Sequence, residues 1–117
     1  MPFNMASGKI SVNRMKLLWS NSNTGNTFSS QSISLELAEY SGVLITTNHF
    51  TNDNSRSTHY IPVDGKQYIM VSPNNGQTGT ATRKVTADIS KVQFYGGYSG
   101  STAIDNACIP AQIFGIK

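Results

Sequence analysis

Hydrophobic and polar positions along this chain alternate in short runs with a period of two, the spacing of half-buried β-strands. The clearest run is 28–37, where Ile33, Leu35 and Leu37 point one way and Ser32, Ser34 and Glu36 the other. Residues 82–89 repeat the pattern, with Val85, Ala87 and Ile89 inward and Lys84, Thr86 and Asp88 outward. Further strands are predicted over Lys9–Val12, Met15–Ser20, Val43–Thr47, Thr58–Val63, Tyr68–Val71, Lys91–Tyr95 and Ile109–Ile116. Val43–Thr47 is β-branched and apolar, which predicts a central strand. The last run carries Ile113, Phe114 and Ile116 on both faces, so both faces are expected to be covered, one of them by a neighbouring subunit.

Turn formers separate these runs. Asn21–Asn26 is a polar loop, His49–Ser57 a polar excursion with its tip at Asn52-Asp53-Asn54, and Gly96–Gly100 a flexible glycine-rich loop. Asp64-Gly65, between Tyr60–Val63 and Tyr68–Val71, is the strongest hairpin signal. Pro62 places its strand at an edge or a bulge. Ser72–Gly76 is a second turn, and Gly42 limits any helix to a single turn near 38–41. The expected fold is all-β: an antiparallel sandwich or flattened barrel, jelly-roll-like, with about eight or nine short strands and no long helix. Residues 8–117 form one domain, preceded by a flexible N-terminus over 1–7.

Composition agrees. Only 13% of the 117 residues are charged and 38% are hydrophobic, so the surface must be built from Ser, Thr, Asn, Gln and Gly. Net charge is +3 with no basic run longer than Arg83-Lys84, so no phosphate-neutralising stripe exists and no nucleic-acid partner is expected. No signal peptide is recognisable and no segment has membrane-spanning length. Synthesis in the cytoplasm without membrane insertion is the expectation. Cys108, the single cysteine, lies between Ala107 and Ile109 and reads as a small buried hydrophobe.

Catalysis needs convergent titratable groups, and here they are dispersed. His49 and His59 flank the Asp53 loop and would meet across a hairpin as a metal or acid–base trio; the reading adopted is that both are surface side chains. Glu36, Glu39, Asp88 and Asp105 form no evident pair, so neither an enzyme nor a bound metal or cofactor is expected. Loop aromatics are the better handle, because tyrosine combines a flat apolar face with a hydroxyl. Tyr98 stands out, since a glycine-rich loop cannot easily bury it; Tyr95, His59 and Asp53 complete the expected ligand-contacting set. The alternative reading of Tyr40, Tyr60, Tyr68 and Tyr95 is that they are ordinary core-edge residues, and Trp19 reads as core.

The residues Leu17-Leu18-Trp19-Ser20-Asn21, the polar gap to Phe28, Ser32–Leu37, Tyr40 and Val43–Ile45, together with the ending Ile109–Lys117, resemble a β module of phage and prophage tail proteins. Arg83-Lys84 and the Phe94-Tyr95 pair fit the same layout. The resemblance spans roughly 16–117. It implies a tail-associated virion protein, often homotrimeric, that contacts host-surface polysaccharide and other virion proteins. Phe114 and Ile116 are the expected contacts between copies. The alternative is a purely structural virion part, a decoration or tail-assembly protein without sugar binding.

Overall fold

In a computed structural model of the chain, residues 15–51, 53–72 and 80–117 are described. The expected flexible terminus over 1–7, the strand Lys9–Val12 and most of the Ser72–Gly76 turn lie outside them. The described residues form nine strands: β1 (Met15–Ser20), β2 (Gln31–Ser34), β3 (Gly42–Phe50), β4 (Asp53–Pro62), β5 (Gln67–Ser72), β6 (Ala81–Ala87), β7 (Lys91–Ser99), β8 (Thr102–Ala103) and β9 (Ala107–Ile116). One antiparallel sheet, sheet A, has the order β1-β9-β3-β4; the other, sheet B, has the order β2-β7-β6-β5 with β8 on β7. The protein is an all-β sandwich. First and last strands are neighbours in sheet A, so β9 is central, paired on both sides by β1 and β3.

Alternation builds the core between the sheets. Val43, Ile45 and Ile113 from sheet A meet Met70, Val85, Ala87, Val92 and Phe94 from sheet B, all fully buried. Phe28 and Phe94 pack edge to face at 5.4 Å, and Trp19 leans on both rings at 6.1 and 6.2 Å. Cys108 is fully buried, and that burial pushes its thiol up to about 11, so it stays protonated. Pro62 sits on β4, an edge strand, where its missing N–H disrupts no inner ladder.

Five local expectations are corrected. The polar excursion His49–Ser57 is a hairpin: β3 runs on to Phe50 and pairs with β4 from Asp53, with Arg56 donating to Asn48 Oδ1 at 2.9 Å. Polarity there reflects a sheet with one solvated face, not a loop. Asp64-Gly65 is not a hairpin turn, because β4 and β5 belong to different sheets. Gly65, at φ 75°, and the Asp64 carboxylate, which accepts from Lys66 N and Tyr68 Oη, carry the chain across the sandwich edge. The alternation at 28–37 yields a strand only over Gln31–Ser34, while Leu35 N and Leu37 N bond to the Ser90 and Ile89 carbonyls of the β6–β7 turn. Ile89 is exposed, since Asp88 turns the chain by accepting from Ser90 N and Lys91 N. Finally, Gly96–Gly100 is no flexible loop: its residues through Ser99 belong to β7.

Candidate functional site

The site begins with the register of β7 against β6. Val85 faces Phe94 and Arg83 faces Gly97, so two residues of β7, Tyr95 and Gly96, stand opposite Lys84 alone. This is a β-bulge, which bends a strand and re-aims its side chains. In an unbroken strand Tyr95 and Tyr98 would point to opposite faces, being an odd number of residues apart. The bulge brings both to the wall of one surface cleft of about 430 Å³, lined also by Gln67, Lys84, Ile104 and Asp105.

Two residues fix the far wall. Arg83 is fully buried and, among the described residues, its guanidinium donates only to backbone carbonyls: Nε to Cys108 (2.9 Å), one terminal nitrogen to Tyr95 (2.6 Å), the other to Ala107 (3.0 Å) and Asp105 (3.3 Å). Its carbon lies 5.5 Å from the Phe28 ring centroid. Burial lowers its pKa from the usual value, while the thiol of Cys108 and the carboxylate of Asp105 oppose that shift. Gly97 makes the second contribution through the side chain it lacks. A Cβ there would stand 2.6 Å from Ala107 O and 2.7 Å from Ile104 O. Its absence lets the segment Ile104–Ala107 close down on β7, where Ile104 N bonds to Gly97 O at 2.9 Å.

The resulting cleft offers two phenol rings, an apolar floor from Ala103 and Ile104, and a cation, a carboxylate and an amide at its rim. Tyr98 is 42% exposed and Tyr95 half-buried, which suits stacking on one ring while the other stays fixed. The cleft wall thus combines aromatic faces to stack on with groups able to donate and accept hydrogen bonds.

His59 and Asp53 do not line this cleft. His59, on β4, bonds to Thr47 Oγ1 at 2.9 Å and is lowered from 6.5 by burial. Asp53 turns the β3–β4 hairpin by accepting from Ser55 N at 2.8 Å, the bond that holds its carboxyl below the usual range. The expectation of two surface histidines is corrected for His49, which is fully buried, its Nδ1 3.2 Å from Ser72 O and its ring edge-on to Phe50. Among the described residues no three His, Cys, Asp or Glu side chains gather as a metal site.

Phe114 and Ile116 lie on the outer face of β9. Cross-strand pairing extends them into an apolar row, Leu17–Phe114–Leu44–Tyr60, beside Met15–Ile116. Tyr60 lies over Gly42, where any Cβ would collide with its ring. Tyr60 is therefore exposed, not core-edge.

Sequence reasoning missed Arg83, Gly97, Gln67, Lys84 and Asp105. For Arg83 the signal was present, since Ala81, Arg83, Val85 and Ala87 share one parity and all four are buried. The fold and cleft define a β-sandwich with an open aromatic groove on the outer face of one sheet. No protein-family model matches the chain, and no curated protein matches it in sequence.

Proposed function

We propose that this protein is a binding module that takes a saccharide in the Tyr95–Tyr98 cleft, and that it serves as a tail-associated receptor-binding protein of a bacteriophage. The cleft carries the binding half of this reading: two tyrosines brought to one wall by a bulge, in a cleft that Gln67, Lys84 and Asp105 also line. The resemblance of residues 16–117 to phage tail modules carries the other half. Host-surface polysaccharide is the partner both halves favour. Several copies on one particle would multiply weak single-site affinity without any new contact. An array of bacterial capsular and lipopolysaccharide glycans tests the reading. Binding to a subset of glycans is expected, and no binding by the intact protein would overturn it.

A second reading has its own observation. The outer row Leu17–Phe114–Leu44–Tyr60 places apolar side chains across all four strands of sheet A, half-exposed at Leu17 and Tyr60 and partly buried at Phe114 and Leu44. Such a patch favours a virion part that touches other copies or other virion proteins. Co-purification with assembled particles, together with a blank glycan array, would favour it.

A further inference from the structure

On the side of the sandwich where the edge strands β1 and β2 lie, a second cleft of about 350 Å³ opens, lined by Trp19 and by the loop that joins those strands. We propose that it is a separate site for a neutral saccharide, one that does not depend on the Tyr95–Tyr98 cleft.

Its wall is made of uncharged groups. None of the residues lining it is Asp, Glu, Lys, Arg or His, whereas the tyrosine cleft holds both Lys84 and Asp105. An anionic ligand would find no cation here and would lose its hydration without return. The loop is held in place before any ligand arrives. Asn21 donates to Pro110 O and accepts from Asn23 N, both at 2.9 Å, and its own N–H bonds to Ala111 O at 2.8 Å. Asn23 accepts from Gly25 N at 2.9 Å, and Phe28 N reaches Asp105 O at 2.9 Å.

With those atoms engaged, another set remains unused. The amide of Asn26, the hydroxyl of Thr27 and the indole N–H of Trp19 have no hydrogen-bond partner among the described residues, and none of them is fully enclosed. Gln31 spends its Nε2 on Ser29 O and keeps its Oε1. These groups both donate and accept, which matches hydroxyls, themselves donors and acceptors. Phe28 and Phe94 brace the indole from the core, and the ring also lines the cleft. A braced, partly buried aromatic ring that still lines the cleft, beside unpaired amides, suits a sugar ring, with C–H groups on the indole and hydroxyls on the amides. The volume, at the small end of the ~300–1,000 Å³ typical of ligand pockets, fits a short saccharide.

Trp19 is the only tryptophan, so its emission reports this site directly. The probes are maltohexaose, cellohexaose, mannohexaose and chitohexaose at up to about 10 mM, well above the ~1 mM dissociation constant of a weak site. At least one is expected to shift the emission and to protect the indole from acrylamide quenching. Asn26→Ala and Gln31→Ala should each weaken that titration about three- to tenfold, the loss of one hydrogen bond, at unchanged melting temperature. If no neutral oligosaccharide alters emission or quenching, or if both variants titrate like the parent protein, the proposal is overturned. A blank glycan array combined with a Trp19 response would sink the tyrosine cleft and leave this site standing.

Discussion

Arg83, fully buried, ties β7 to the 105–108 segment. A buried guanidinium is costly unless every N–H is used, and here the donors go to four carbonyls drawn from β7 and from the 105–108 segment. Lysine keeps the charge but replaces a planar fork with a point donor, so most of those carbonyls would lose their partner. Arg83→Lys is expected to cost about 3 kcal/mol, at roughly 1–3 kcal/mol per buried group left unpaired, and to lower the melting temperature by about 10 °C. Calorimetry checks it, and a shift under ~2 °C would contradict the role given to this residue. His59 adds a pH dependence. Burial lowers its folded pKa below the usual 6.5, so the unfolded chain takes up the proton first and stability falls as pH drops through and below that value. Asp53, Asp64 and Asp88, each lowered by hydrogen bonds, add a second decline in the more acidic carboxylate range. Melting scans from pH 8 to pH 3 should show both phases, and His59→Gln should flatten the first while leaving the second.

At the scale of elements, β7 decides the site. Its bulge at Tyr95–Gly96 and the bare Cα of Gly97 act together, one aiming the tyrosines and the other seating the wall across from them. In Gly97→Ala the new methyl would press on two backbone carbonyls that cannot rotate away. A loss of about 1–3 kcal/mol is expected, with weaker saccharide binding than Gly96→Ala, where the nearest atom is a side-chain oxygen at 3.6 Å. Equal melting temperatures for the two variants would refute the close approach. The elements themselves were partly legible in the sequence. β5 and β6 follow their alternation nearly to the residue, because each buries one face, whereas β1 and β9 form where their apolar runs lie without that clean alternation, β9 being buried on both faces over its first half. What misled was turn chemistry: Asp64-Gly65 has the composition of a hairpin turn, yet the choice between pairing and crossing sheets is made by distant partners, including the bond from Gly65 N to Ala87 O. Glycines hid the end of β7 in the same way, since their role there is close packing and not freedom. Tyr98 could be singled out from its glycine neighbours, but its union with Tyr95 depends on a bulge that no local pattern announces.

Across the whole molecule, each sheet has one face in the core and one outward, and the two outward faces differ. Sheet B presents the tyrosine cleft; sheet A presents the apolar row through Phe114. If that row joins copies, light scattering on the parent protein will give a mass above the 12.7 kDa monomer. Leu17→Lys, on the edge strand β1, will return it to the monomer at unchanged melting temperature. A parent protein that stays monomeric at micromolar concentration would remove self-association through this face. The clefts and the row lie on different parts of the surface, so binding and assembly are separable by mutation. The most direct test is calorimetric titration of the strongest array glycan into the parent protein and into Tyr98→Ala. Loss of a ring 42% exposed at the cleft wall should weaken binding at least tenfold, about 1.4 kcal/mol, with no change in melting temperature. Equal affinity for the two proteins would show that the Tyr95–Tyr98 cleft is not where the glycan sits.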